Sequence, residues 1–104
     1  MTVISITAIH LKPDADWATA QKQLQKGNAI ARKHGAENVT LAVGIAAGPA
    51  TATVSIIATS PDWESYGKVQ DGMLADPEMM ALMSDPSSGV ATWDTYVLQT
   101  IPDM

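Results

Sequence analysis

The segment Val39–Ala50 limits the possible folds more than any other part of this sequence, because it carries no charged side chain. In an extended strand its residues alternate between a face of valine, leucine and isoleucine and a face of mostly threonine, alanine and glycine. Neither face favours contact with water, and an uncharged strand at the edge of a sheet readily pairs with another chain. The segment therefore predicts a sheet whose faces and edges must be covered by protein.

Strand and helix patterns follow one another in the order strand, helix, strand, strand, helix, strand. The strand segments are rich in isoleucine, valine and threonine, and the first three end at turns that contain a proline. Proline stops a strand because it has no N–H for the hydrogen-bond ladder. The predicted strands are Thr2–Leu11, Val39–Ala47, Ala50–Thr59 and Val90–Ile101, with Gly48–Pro49 as the turn between the second and third.

The predicted helices begin and end at residues with strong capping preferences. Asp14 or Asp16 can cap the first helix, and Gly35 suits a left-handed C-terminal cap. Ser60 is predicted to cap the second helix, with Pro61 at its first helical position. The inward positions, spaced three or four residues apart, are Trp17, Ala20, Leu24, Asn28 and Ala31 in the first helix and Trp63, Tyr66, Gln70, Met73 and Leu74 in the second.

This element order predicts a single α+β domain over residues 1–104. Two right-handed crossovers place the strands in the spatial order 4-1-3-2, as a ferredoxin-like βαββαβ antiparallel sheet with the helices on one face. The other face still needs cover. If a second copy covered ~500 Å² of apolar surface per chain, transfer alone would contribute about 12 kcal/mol before the costs of association. We therefore expect a homodimer in which two sheets close a barrel.

The overall composition excludes several classes of partner. A net charge of −5 and a pI of about 4.6 disfavour nucleic acid and anionic membranes. The N-terminal residues resemble no signal peptide, and no apolar run is long enough to span a bilayer. The absence of cysteine excludes disulfides and thiolate metal sites and suits a cytoplasmic location. Two histidines, distant in sequence, predict no metal site, and no motif predicts a cofactor.

Three short segments carry a resemblance to a known superfamily. They are Trp63–Glu64–Ser65–Tyr66 at the start of the second long helix, the break at Ala75–Asp76–Pro77–Glu78 before a short helix, and the aromatic last strand with Trp93 and Tyr96. Together with the element order they resemble the dimeric α/β-barrel superfamily, and within it the NIPSNAP-like and antibiotic-biosynthesis-monooxygenase-like domains. The resemblance implies a homodimer. The superfamily includes cofactor-free oxygenases, haem proteins, cyclases, lyases and ligand-sensing domains.

The ionisable side chains inside the predicted strands are His10, Asp94 and Tyr96. The first and last strands are neighbours, so His10 comes near Trp93 or Asp94. If it lies opposite Asp94, the two share a face and can form a His–carboxylate base. If it lies opposite Trp93, it belongs to the helix-facing side with Ile4, Ile6 and Ala8, and we favour this second register. The alternative role for His10 is structural, as a histidine at the end of a strand bonded to backbone or water. The alternative role for Asp94 is that of an exposed carboxylate that discourages incorrect strand pairing at the edge of the sheet.

A pocket between sheet and helices would hold no fixed positive charge, because the lysines and arginine lie outside the strand interiors. It would favour an apolar ligand that is neutral or weakly acidic. The resemblance implies that Trp63 and Tyr66 line such a pocket, although packing in the core is the alternative. The residues predicted to line the pocket are Trp63, Tyr66, Trp93, Tyr96, Gly44 and Met73.

Three functions remain open on these observations. One is a cofactor-free monooxygenase-like enzyme that acts on an aromatic substrate, with His10 assisting proton removal and Asp94 orienting it. Another is a non-catalytic or stress-linked dimer that binds an apolar small molecule. The third is a proton-shuttling cyclase or isomerase that uses the same residues.

Overall fold

A computed structural model describes residues 1–44 and 53–102 of the chain. The predicted Gly48–Pro49 turn, the end of the second predicted strand and the start of the third lie outside the described residues. The strands are β1 (Val3–Leu11), β2 (Glu37–Val43), β3 (Val54–Ser60) and β4 (Val90–Gln99). The helices are α1 (Trp17–Lys33), α2 (Trp63–Ala75) and α3 (Pro77–Met83), followed by a 3-10 turn at Pro86–Ser88.

The described strands form one antiparallel sheet in the order β2-β3-β1-β4, which confirms the predicted order and the ferredoxin-like α+β arrangement. β1 and β3 are the central pair, and β2 and β4 are the edges. The sheet and its helices extend over 44 × 36 × 17 Å between Cα atoms. A thickness of 17 Å fits one layer of helices on one layer of strands, because packed layers lie about 10 Å apart.

Two of the predicted helix caps around α1 are confirmed. Asp16 caps the N-terminus, and its carboxylate accepts hydrogen bonds from the Thr19 backbone N–H at 3.3 Å and the Thr19 hydroxyl at 2.7 Å. These bonds hold the pKa of Asp16 below its usual value, the hydroxyl contributing most. Gly35 adopts a φ of +103°, the left-handed conformation expected after a helix end.

The predicted N-cap of α2 is wrong. Ser60 is the last residue of β3 and pairs with Val3, so its backbone is committed to the sheet ladder. Asp62 caps the helix instead, and its side chain accepts a hydrogen bond from the Ser65 N–H at 2.7 Å. Ser60 therefore belongs to β3. The helix α2 begins at Trp63, two residues after the predicted first helical residue, Pro61.

The core lies between the helices and one face of the sheet. Ile9, Leu24 and Val54 form its buried centre. Ala20, Leu24, Asn28 and Ala31 of α1 are buried as predicted, but Trp17 is exposed. Trp17 is the first residue of α1 and lies at the exposed end of the helix. The residues packed around the buried centre are Leu11, Leu41, Ile56 and Val90.

The opposite face of the sheet, which we call the open face, is turned away from the described helices. Strand alternation places Ile4, Ile6 and Ala8 on it, and the preferred register, which put these residues on the helix side, is therefore wrong. The helices instead cover Val3 and Ile9, which are the larger buried residues of β1. The open face is formed by Ile4, Ile6, Ala8, His10, Thr40, Ala42, Ser55, Ile57, Thr59, Thr92, Asp94, Tyr96 and Leu98.

Asp76 joins all three helices at the point where α2 ends and α3 begins. Its buried carboxylate accepts hydrogen bonds from His34 Nε2 at 2.7 Å, from Lys33 Nζ at 3.2 Å and from the Glu78 N–H at 2.9 Å. The bond with His34 and then that with Lys33 lower the pKa of Asp76 to about 2. The carboxylate is therefore ionised at neutral pH and holds the C-terminus of α1 against the α2–α3 junction.

Gly72 of α2 lies against the ring of His34, so we expect a larger residue at this position to destabilise the fold. A Cβ at this position would come within 2.8 Å of His34 Cγ, so the ring would have to shift from the position in which it bonds to Asp76. We expect Gly72→Ala to lower the free energy of unfolding by about 1–3 kcal/mol, as overpacking does.

Gly67 provides the matched control, because a Cβ there meets no atom within 4 Å and the residue lies in the same helix. Gly67→Ala should raise the free energy of unfolding by about 0.4–1 kcal/mol through the lower entropy of the unfolded chain. Urea unfolding of both variants measures the difference. Equal effects of the two substitutions would contradict the clamp on His34.

Candidate functional site

A cavity of about 380 Å³ lies between the helices and the helix-facing side of the sheet. Its volume falls within the range of small-molecule sites, which is roughly 300–1,000 Å³. It exists because β1 and β3 present small side chains beneath the helices, among them Ser5, Ala58 and Ser60. The helices contribute a roof that includes four residues with long, adaptable side chains: Met73, Met79, Leu82 and Met83.

The cavity wall is uncharged. Of the described residues that line it, none is a lysine, arginine, histidine, aspartate or glutamate, and Tyr66 is the one with a titratable side chain. Several of its polar groups already have partners: the Thr7 and Thr95 hydroxyls lie 3.1 Å apart, and Gln23 Nε2 donates to Asp85 at 3.2 Å. The wall therefore offers apolar surface and neutral hydrogen-bonding groups, a combination suited to an uncharged molecule.

Tyr66, Met73 and Trp93 are the predicted pocket residues that line this cavity. Tyr66 and Met73 reach it from α2, and Trp93 reaches it from the edge strand β4, opposite Ile9. The structure thus brings together three of the six predicted residues, from two elements distant in sequence.

Trp63 lies beside the cavity but does not line it. Its side chain is 45% exposed, and its indole Nε1 donates a hydrogen bond to Gln99 Oε1 at 2.6 Å. The ring meets Tyr66 edge to face, with centroids 5.8 Å apart and planes at 88°. Trp63 therefore connects the start of α2 to the end of β4 and packs against Tyr66. It neither lines the cavity nor is buried in the core, which were the two roles considered from the sequence.

Tyr96 and Gly44 lie away from the cavity. Tyr96 pairs with Ile6 on the open face and is 59% exposed. Gly44 follows the last residue of β2, where its N–H donates to the Thr53 carbonyl at 3.1 Å. Both residues belong to the sheet surface that the helices leave uncovered.

His10 and Asp94 come together on the open face. His10 pairs with Thr92 and Ala8 with Asp94, so the two ionisable residues share a face and lie on a diagonal, with Nε2 and Oδ2 3.3 Å apart. Neither predicted register is correct, because His10 lies opposite neither Trp93 nor Asp94. Both side chains are largely exposed, and neither lines the cavity. A base at this position could act only on a molecule bound at the open face.

A second, shallower groove of about 590 Å³ runs between α1 and α3 on the outer surface. It is lined by charges of both signs, with Lys26 and Lys33 on one side and Glu78 and Asp85 on the other. Because these charges offset one another and are exposed to water, they select no ligand class.

Asn28 is the polar cavity residue that sequence reasoning left without a role. It occupies an inward position of α1, four residues from Leu24, and is only 4% exposed. A buried amide in an otherwise apolar stripe was the available signal.

Within residues 1–44 and 53–102, no group of three or more His, Asp or Glu is placed to hold a metal ion. Among the helices in those ranges, none is long and apolar enough to cross a bilayer.

Neither the family models nor the curated proteins contain a match to this chain. Solved structures do match its fold. An uncharacterised NIPSNAP-like domain protein from Burkholderia xenovorans superposes with a TM-score of 0.74 at 15% identity, covering 99% of this chain and 88% of that one. A dabb family protein with a ferredoxin-like fold from Mesorhizobium loti gives a TM-score of 0.69 at 12% identity, covering 96% and 97%.

SnoaB from Streptomyces nogalater, a cofactor-independent oxygenase, gives a TM-score of 0.60 at 17% identity, covering 98% of this chain and 96% of that one. At these identities the likeness shows the fold alone. The ferredoxin-like arrangement expected from the sequence is therefore shared with NIPSNAP-like, dabb and SnoaB-type proteins.

Proposed function

We propose that this protein binds an uncharged, largely apolar small molecule in the cavity between the sheet and the helices. The observation that carries the proposal is the wall itself, which has a volume of about 380 Å³ and no ionised side chain among its described residues. Moving a charged ligand from water into such surroundings is costly unless an opposite charge meets it. An aromatic or alicyclic molecule would contact Tyr66 and Trp93 and lose little by leaving water.

Binding without conversion is the simpler function for this site. Acid–base chemistry needs a side chain that exchanges a proton near neutral pH, within hydrogen-bond reach of the ligand. Tyr66 supplies a hydroxyl, but the His10–Asp94 pair lies on the other side of the sheet. A ligand in the cavity would be separated from that pair by the backbone of β1.

A pair of probes that differ in charge tests this proposal. We expect 2-methoxynaphthalene, which is neutral, to raise the melting temperature, whereas naphthalene-2-carboxylate should not. Ala58→Leu fills the cavity from β3 and should abolish the shift. Stabilisation by a ligand at 100 times its Kd is about 2.7 kcal/mol, which a thermal melt readily detects.

Ala18→Leu is the matched control, because it makes the same change at an exposed position of α1. It should leave the shift intact. Equal shifts in the wild-type protein and Ala58→Leu would place binding elsewhere and reject the cavity as the site.

We also propose that two copies of the chain associate through the open face. Its apolar side chains include Tyr96 and Leu98, which are 59% and 50% exposed in the single chain. Soluble monomers rarely leave a continuous apolar patch of more than a few hundred Å² in water. The two sheets would then face each other as a barrel, with the helices and both cavities outside.

Solution mass tests the association. At micromolar concentration the protein should have a mass of twice 11.0 kDa by light scattering. Tyr96→Lys places a charge on the open face and should yield a monomer with an unchanged circular-dichroism spectrum. Met80→Lys introduces the same charge at an exposed position of α3 and should remain dimeric. A wild-type protein that runs as a monomer at this concentration would contradict the proposal.

A second candidate function is cofactor-free oxygenation of an aromatic ligand in the same cavity. It is supported by the fold likeness to SnoaB and by the hydroxyl of Tyr66 in the wall. The candidate predicts protein-dependent oxygen uptake with at least one compound of a hydroquinone panel, reduced about 10²-fold or more by Tyr66→Phe if its hydroxyl exchanges the proton.

The His10→Ala variant distinguishes chemistry in the cavity from chemistry on the open face. Loss of oxygen uptake in this variant, with Tyr66→Phe unaffected, would assign the chemistry to the His10–Asp94 pair on the open face. Absence of uptake with every compound leaves binding as the function of the cavity and rejects the oxygenase.

A further inference from the structure

Asn28 is one of the residues that line the cavity, and its state is unusual for a buried polar residue. Its side chain is part of the wall, the residue is 4% exposed, and its Oδ1 has no hydrogen-bond partner among the described residues. In the described part of the chain, no other buried side-chain nitrogen or oxygen lacks a partner. The unpaired oxygen thus belongs to a wall residue but is itself covered by protein, so a ligand in the cavity would meet it after the amide turns toward the cavity.

An unpaired buried amide is costly, and α1 could avoid the cost with an apolar residue. The other inward positions of the helix are filled by Ala20, Leu24 and Ala31, and a leucine has the branched shape of an asparagine without its polar atoms. Buried polar groups in native proteins are almost always paired. The amide is thus best explained by a partner that is not part of the chain.

The other polar groups of the wall narrow the choice of partner. The Thr7 and Thr95 hydroxyls are within hydrogen-bond distance of each other, and Gln23 Nε2 donates to Asp85, so each of these residues already has one partner. Asn28 Oδ1 is a carbonyl oxygen, which accepts hydrogen bonds and cannot donate them. Its partner must supply an O–H or N–H, and the uncharged wall requires that partner to be neutral.

We propose that Asn28 determines the ligand class of the cavity: a neutral, largely apolar molecule that carries an O–H or N–H donor, which Asn28 Oδ1 accepts. The inference rests on the proposed small-molecule function of the same cavity. It goes further because it separates donor-bearing ligands, such as phenols and alcohols, from purely apolar ones and from ethers of the same shape.

A matched pair of probes tests the inference. 2-Naphthol and 2-methoxynaphthalene share a ring system, but only the first has a donor. We expect the wild-type protein to bind 2-naphthol about tenfold more tightly by ligand-observed NMR titration, the size expected for one neutral hydrogen bond that would otherwise be unmade. Asn28→Leu should remove this preference and leave the affinity for 2-methoxynaphthalene unchanged or higher.

Two further measurements separate binding from a structural role. Asn28→Leu should raise the urea midpoint of the free protein, because it removes an unpaired amide from an apolar stripe. Gln25→Leu removes an amide from an exposed position of the same helix and should leave the preference for 2-naphthol unchanged. A lower urea midpoint in Asn28→Leu, with the preference retained, would make Asn28 a structural residue and overturn the inference.

The remaining outcomes distinguish this inference from the proposed function. Equal affinity of the wild-type protein for both probes would overturn the role of Asn28, as expected if water satisfies its oxygen, while the cavity would stand as a binding site. Binding of neither probe at saturation would overturn the cavity proposal itself, and with it the inference.

Discussion

The pairing of β1 with β3 at the centre of the sheet is the interaction on which the rest of the structure depends. Neither strand carries an aspartate, glutamate, lysine or arginine, so both faces of this pair favour burial. The helices cover one face, and there the largest buried residues, Val3, Ile9 and Val54, form the core. The small residues between them leave volume beneath the helices. The cavity is thus a consequence of which side chains the central strands place under α1 and α2.

The sheet also separates the two sets of residues that could carry chemistry. Side chains alternate along a strand, so His10 and its neighbour Ile9 project to opposite faces of β1. Ile9 reaches the cavity, and His10 meets Asp94 on the open face. A one-residue shift of β4 against β1 would have moved Asp94 to the helix-facing side and separated it from His10. For this reason the described wall of the cavity offers only neutral hydrogen-bonding groups and apolar surface, and the His10–Asp94 contact belongs to the other face of the sheet.

The roof of the cavity depends on a small number of polar contacts between helices. Asp76 ends α2, caps α3 and accepts hydrogen bonds from Lys33 and His34 at the end of α1. At the other end of α2, Trp63 holds the helix to Gln99 of the edge strand. These contacts fix α2 at both ends while Met73 and the methionines of α3 remain adaptable between them. The cavity therefore combines a helix held at both ends with a wall that contains flexible methionine side chains.

The sequence by itself determined the elements, their order and the sheet order, because hydrophobic alternation, helix caps and the handedness of crossovers are local or general properties. It also predicted Tyr66, Met73 and Trp93 as pocket residues, and these three line the cavity, and it predicted Asn28 as an inward residue. Only the tertiary structure decided which face of β1 the helices cover, and with it the face of His10, and only it decided the register that brings Asp94 beside His10. It likewise decided that Ser60 extends a strand and that Trp63 bonds to Gln99. These features depend on which partner each backbone and side chain meets across the sheet, and no local pattern encodes that choice.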